Sequence, residues 1–213
     1  MYGFEYHRPG SVADAATAVS NASDGKILAG GQTLLPTMKQ RLASPSDLVD
    51  LGGIAELKGI SVNGGTVTIG AMTTHAEVAA SADVQGAIPA LAALAGNIGD
   101  PQVRNRGTIG GSLANNDPAA DYPAAVLALG ATIKTNQREI PADDFVVGLF
   151  ETALNEGEII TAVSFPTPDA AAYMKFKQPA SRFAMVGVMV VKTSGGVRVA
   201  VTGATSHAHR GPK

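Results

Sequence analysis

Asp100-Pro101-Gln102-Val103-Arg104-Asn105-Arg106-Gly107-Thr108-Ile109-Gly110-Gly111-Ser112 is the stretch on which the fold turns. Three glycines fall within Gly107–Gly111. Without Cβ atoms, such a backbone can come close to a ligand. Successive N–H groups in a tight turn form a concave anion site. The hydroxyls of Thr108 and Ser112 flank the glycine pair and suit phosphate oxygens. Phosphate binding is the functional reading, and an ordinary glycine-rich loop is the competing one. A second stretch, Ala29-Gly30-Gly31-Gln32-Thr33, follows the short apolar run Lys26-Ile27-Leu28 and precedes a helical pattern. Strand, small-residue loop, helix is a recurrent way to present N–H groups to an anion. The spacing is neither G-x-G-x-x-G nor G-x-x-x-x-G-K-[ST], so a Rossmann or P-loop assignment fails. Taken alone, this second stretch reads as a tight strand–helix turn. Two such loops in one chain favour a diphosphate with two bulky ends, hence a dinucleotide.

Working outward, residues 1–55 read as helix, strand, helix, strand. Ser11 with Asp14 opens a helix, an approximate capping box. Leu34, Leu35, Met38 and Leu42 recur at helical spacing, and Asp47–Leu51 is a strand. Residues 56–171 form a second unit. Thr66–Ile69 alternates as a half-buried strand, Thr74 and Glu77 form a capping box, and Ile88, Leu91, Leu94, Ala95 and Ile98 mark an apolar helix face. A helix is expected over Pro118–Leu129, with strands near 131–135 and 158–165 and a linker at Pro166-Thr167-Pro168. Residues 172–213 are β-rich, with a hairpin about Ser194-Gly195-Gly196. The alternation of helix and strand over residues 1–55 argues for a small α/β or α+β unit.

Composition excludes several functions. With 213 residues, 45% hydrophobic and mean hydropathy +0.13, the chain is globular. Net charge is −2, which gives no electrostatic reason to expect nucleic acid. The absence of Cys removes disulfides, thiolate zinc sites, iron–sulfur ligation and a cysteine nucleophile. No run approaches the roughly 18 apolar residues of a membrane helix, and the N-terminus lacks signal-peptide character, so a cytoplasmic protein is expected. His207 and His209 have no third ligand nearby in sequence. No nucleophile–base or paired-carboxylate arrangement indicates a hydrolase, and no catalytic acid or base is assigned.

Several motifs together resemble a known family. Ala29–Pro36, Asp100–Ser112, Asp117-Pro118-Ala119-Ala120-Asp121 and Phe176-Lys177-Gln178-Pro179-Ala180-Ser181-Arg182 look like those of the FAD-binding medium subunit of molybdenum hydroxylases, of the carbon monoxide dehydrogenase and xanthine dehydrogenase type. The resemblance implies two α+β subdomains, 1–55 and 56–171, holding FAD between them in the manner of vanillyl-alcohol oxidase. A C-terminal α+β domain would start at 172 and be incomplete. It implies that Ala29, Gly30, Gly31, Gln32, Thr33 and Leu34, with Thr108, Ile109, Gly110, Gly111 and Ser112, cradle the diphosphate. Asp121 would hydrogen-bond the ribose or adenosine side, and Ile98, Ile160 and Lys177 would line the ring ends.

The implied function is electron transfer in a hetero-oligomer. A molybdenum–pterin large subunit would oxidise substrate, and [2Fe-2S] clusters on a small subunit would feed the FAD held here. The lack of Cys fits that division. Family members continue past the point where this sequence stops, so the last domain would lack its closing elements and leave a sheet edge and an apolar face uncovered. A stand-alone FAD oxidoreductase and a non-catalytic nucleotide-binding or assembly remnant are the alternatives.

Overall fold

A computed structural model describes residues 1–211 as three sheets and a small two-stranded hairpin, with helices packed against them. The first unit contains β1 (Glu5–His7), α1 (Val12–Asn21), β2 (Gly25–Leu28), α2 (Leu34–Lys39) and β3 (Asp47–Asp50). Its sheet is parallel in the order β1-β3-β2. Ser11 caps α1, accepting from the Asp14 N–H at 3.1 Å. Two 3₁₀ turns, Leu51–Gly53 and Ala55–Leu57, lead out of it. β1 was not foreseen: three mostly exposed residues carry no apolar alternation. Leu42 was expected on the helical apolar face, but α2 ends at Lys39 and Leu42 is exposed.

The second unit opens with β4 (Ile60–Asn63) and β5 (Thr66–Gly70). Five helices follow: α3 (His75–Ala80), α4 (Ala82–Ala87), α5 (Pro89–Gly96), α6 (Pro101–Arg104) and α7 (Ile109–Asn115). After α8 (Tyr122–Leu129) come β6 (Thr132–Thr135), β7 (Glu139–Pro141), α9 (Ala142–Phe145), the small hairpin β8 (Val146–Gly148) and β9 (Glu151–Thr152), and β10 (Ile160–Pro166). The five-stranded antiparallel sheet runs β4-β5-β10-β6-β7, so β10 is threaded between strands made much earlier in the chain. The capping box at Thr74 and Glu77 forms as the spacing demands. The helix expected from Pro118 begins instead at Tyr122, with Pro123 in its first turn. Before it, Asp117 folds back to accept from the Ala119 N–H, holding 117–120 in a turn. Every residue of α8 is buried, which explains why its apolar pattern has no polar face.

The third sheet is an antiparallel meander of β11 (Ala170–Lys177), β12 (Ala184–Thr193), β13 (Gly196–Thr202) and β14 (His209–Arg210). Pro212 and Lys213, the last two residues of the expected 172–213 unit, lie outside the described residues. The linker at 166–168 is pinned, because the Thr167 N–H donates to the Gly65 carbonyl. The inner face of this sheet, with Met189, Val191 and Ala200, joins the same apolar core as α5, α8 and the five-stranded sheet. Its outer face shows Met174, Phe176, Val190 and Val197 to solvent. A separate, smaller core of Ala15, Val49, Leu51, Ile54 and Leu57 takes in Met72 and Ile159, tying the first unit to the second. Among the described residues no helix is long and apolar enough to cross a membrane.

Candidate cofactor-binding site

A cavity of about 600 Å³ lies where the three units meet. That is within the range of about 300–1,000 Å³ usual for ligand sites. Its walls come from the β2–α2 loop, the segment 98–115, the turn before α8, residues 158–160 ahead of and within β10, and Lys175 and the β11–β12 loop.

The glycine-rich loops meet each other at this cavity. A Cβ on Gly30 would lie 2.7 Å from the Gly107 Cα and would collide with the Arg106 carbonyl. A Cβ on Gly110 would lie 2.6 Å from the Ala71 Cβ. At these two positions the missing side chain lets backbone pack on backbone inside the protein, with any closeness to a ligand a consequence. The first loop is short of acceptors. The N–H groups of Gly30, Gly31, Gln32 and Thr33 have no hydrogen-bond acceptor among the described residues, and α2 begins without a side-chain cap. Such unpaired donors at a helix start are suited to an anion.

The second loop differs. Ile109 N–H donates to the Thr73 carbonyl, Gly110 N–H to the Ala71 carbonyl, and Ser112 N–H to the Thr108 carbonyl. Gly111 N–H donates to Thr108 Oγ1. These bonds fix the loop against the end of β5 and leave the Thr108 and Ser112 hydroxyls as its polar offering. The apolar remainder of the wall, with Leu51, Ile98, Val103, Leu154 and Ile160, suits flat ring systems.

Of the residues expected at the site, Ala29, Gly30, Gly31, Gln32, Thr33, Leu34, Ile98, Thr108, Gly110, Gly111, Ser112, Asp121 and Ile160 line this cavity. Two do not. The Ile109 side chain is wholly buried in the core beneath the loop. Lys177 is exposed and borders a separate small pocket with Asn97, Tyr173, Met174 and Lys175. The register shift beside Phe176 and Lys177 leaves its extra residue, Met185, on β12, so Lys175 and Lys177 stay on one face of β11 and differ in depth: Lys177 is at the exposed end of the strand. The lysine that reaches the cavity is Lys175, whose side chain is 5% exposed.

Lys175 Nζ sits 3.0 Å from Asp121 Oδ2 and donates to the Asn97 carbonyl at 3.2 Å. The Tyr173 hydroxyl donates to Asp121 Oδ1. Both Asp121 oxygens are therefore engaged by β11 before any ligand arrives. Burial pushes the Asp121 carboxyl above its usual range, against the pull of Lys175 and Tyr173. The carbonyls on either side are taken as well. Gly203 N–H donates to Pro118, Ala184 N–H to Ala119, and Thr202 Oγ1 to Pro118 and Ala120. The Asp117–Asp121 segment is thus a seat for the third sheet as well as a wall of the cavity. The one-sided sequence reading missed that role because its partners lie more than fifty residues away.

Within the 158–160 wall, the Glu158 side chain is buried and accepts both Arg138 Nε and Nη2 at 3.0 Å. Thr135 Oγ1 and the Asn155 N–H also donate to it. The Arg138 guanidinium holds its carboxyl down to about 2. This network braces the turn between β6 and β7 against the start of β10.

Two loops from different units, facing one largely apolar cavity with free N–H donors in its wall, define a dinucleotide-cofactor domain. The comparisons narrow that class. The family described as the FAD binding domain in molybdopterin dehydrogenase matches residues 2–168. The carbon monoxide dehydrogenase medium chain of Hydrogenophaga pseudoflava is 42% identical over 212 residues, covering 93% of this chain and 74% of the relative. The nicotine 6-hydroxylase medium subunit of Paenarthrobacter nicotinovorans is 40% identical, covering 97% and 77%. The solved carbon monoxide dehydrogenase from Hydrogenophaga pseudoflava lacking the molybdenum-pyranopterin moiety superposes with a TM-score of 0.93 at 41% identity, over 98% of this chain and 77% of that one. The chain belongs to the family of FAD-binding domains of molybdopterin dehydrogenases, and it is an oxidoreductase subunit of that type.

Proposed function

We propose that this chain holds FAD as the electron-transfer subunit of a molybdenum-containing hydroxylase. The observation that carries the reading is the meeting of the two glycine loops at one cavity, with four backbone N–H donors unspoken for. Gly30, Gly31, Gln32 and Thr33 would hold the diphosphate from one side, with the Thr108 and Ser112 hydroxyls opposite. Ile98, Val103 and Ile160 would exclude water from the rings. Lys175, fixed by Asp121, would present a positive charge to the ligand from the third sheet. Bound FAD would supply the exchange between one-electron and two-electron carriers, joining clusters on a small subunit to an external acceptor. The chain's own part is to bind and orient it. In this reading the protein works in the cytoplasm beside a molybdenum-binding large subunit and an iron–sulfur small subunit. The names of the relatives support that assembly.

A visible absorption spectrum of the purified chain, taken after adding FAD and desalting, tests the binding half of the reading. Retained flavin absorbance at about one FAD per chain is expected, and its absence would overturn it. Co-purification of the tagged chain with a cluster-bearing and a molybdenum-bearing subunit tests the other half. Isolation as a lone flavoprotein from its native host would favour a stand-alone oxidoreductase.

A further inference from the structure

His75 is part of the cavity wall yet only 5% exposed. It opens α3, and its N–H donates to the Gly107 carbonyl, so the ring is locked beneath the second glycine loop. A Cβ on Gly107 would lie 2.7 Å from His75 Nε2, so a glycine at that position makes room for the ring. On the other side the ring meets Tyr122, with centroids 5.4 Å apart. Among the described residues, His75 Nδ1 is sealed from solvent with no hydrogen-bond partner, and so is the Tyr122 hydroxyl. Nε2 has no hydrogen bond among the described residues and is not one of the sealed atoms, which leaves it as the ring nitrogen able to reach the cavity that His75 lines. Burial, with Arg104 nearby, pushes the imidazole down to about 4, so the ring is neutral near pH 7. A neutral ring carries one N–H. A sealed, partnerless Nδ1 costs less as an unprotonated acceptor than as a donor with nothing to receive its hydrogen, which places the N–H on Nε2.

We infer that His75 is a binding residue for the dinucleotide, donating its Nε2–H to an oxygen of the chain that links the two ring systems. The inference deepens the flavin reading and rests on it. It answers a shortage on this side of the cavity, where the N–H groups of Ile109, Gly110, Gly111 and Ser112 are already used within the protein. A fixed ring donor behind Gly107 would replace them. The position is specific, because Tyr122 and Gly107 hold the ring on two sides and leave it no other aim.

His75→Phe separates this role from packing. Phenylalanine keeps the ring against Tyr122 and removes the donor and the sealed nitrogen together. The expected result is an unfolding temperature no lower than wild type, with FAD affinity weakened at least tenfold by flavin-fluorescence titration. His75→Gln, which restores an N–H donor, should recover part of that loss. A second measurement does not depend on either variant folding. The ¹⁵N resonances of His75 in the wild-type chain should report an Nε2–H tautomer whose proton shifts downfield when FAD is added. Unchanged FAD affinity in a folded His75→Phe, or an Nδ1–H tautomer unaffected by FAD, would overturn the inference. Failure of the wild-type chain to take up FAD would instead overturn the flavin reading beneath it.

Discussion

Gly30→Ala places one methyl group where the two loops touch. Its Cβ would stand 2.7 Å from the Gly107 Cα and 2.9 Å from the Arg106 carbonyl carbon. Carbon atoms rest at about 3.5–4.0 Å, so the loops must part by roughly 1 Å. The obstruction is backbone, which cannot swing aside as a side chain can. Forced overpacking of this kind costs about 1–3 kcal/mol. For a chain of this size each kcal/mol lowers Tm by about 2–4 °C, so a fall of about 2–12 °C is expected. The same displacement pulls the free N–H groups of Gly30–Thr33 away from the Thr108 and Ser112 hydroxyls. Losing one well-aligned bond to a charged group costs about 1.5–3 kcal/mol, or at least tenfold in FAD affinity. Calorimetry with and without FAD, alongside a fluorescence titration, measures both effects. Gly86→Ala is the control, because Gly86 lies in α4 with no atom within 4 Å of a new Cβ. That change should leave FAD binding intact and raise stability by up to about 1 kcal/mol through helix propensity. If Gly30→Ala keeps both its Tm and its FAD affinity, the argument that the glycines serve loop-on-loop packing is wrong.

Lys175→Met strands the buried Asp121 carboxylate, and a loss of about 3–5 kcal/mol by urea unfolding is expected, with much of it restored in the double variant Asp121→Asn, Lys175→Met. Lys177→Met should stay within about 0.5 kcal/mol of wild type and bind FAD normally, because that residue is exposed; equal effects from the two lysines would contradict the difference in burial between them. Glu158 is held down to about 2 against an ordinary 4.5, so its contribution is complete above about pH 4.5 and fades as the pH falls toward 2. Glu158→Gln should therefore cost about 2–3 kcal/mol at pH 7 and almost nothing near pH 2, and a penalty that stays constant across urea titrations from pH 7 to 3 would refute the ion-pair account. Tyr122→Phe removes a sealed hydroxyl that has no partner, so Tm should hold or rise by a few degrees, and a clear fall would show that the hydroxyl is satisfied after all.

The sequence by itself determined what depends on neighbours along the chain. Ser11 with Asp14, and Thr74 with Glu77, are caps whose partners lie three residues away, and both form. Thr66–Ile69 alternates and is half-buried as read. The hairpin about Gly195 follows from turn chemistry between two apolar runs. The two glycine loops were visible because a backbone that must come close to something leaves its mark as missing side chains.

Tertiary structure decided everything that joins distant segments. It showed that Gly30 and Gly110 are glycines because protein backbone, at Arg106–Gly107 and at Ala71, stands where their side chains would go. It buried Lys175 against Asp121 and left Lys177 exposed at the end of β11, so that Lys175 reaches the cavity in place of Lys177; period-two reasoning gives the shared face of the two lysines but not how deep each one lies. It turned Asp117–Asp121 from the expected helix start into the seat of the third sheet, through bonds to Tyr173, Lys175, Ala184, Thr202 and Gly203. It also placed His75, the first residue of α3, behind the second loop with a sealed nitrogen, a setting that depends on Gly107 and Tyr122 more than thirty residues away. Local propensity acts over three or four residues, whereas the direction in which a side chain is buried is set by whichever distant strand arrives to cover it.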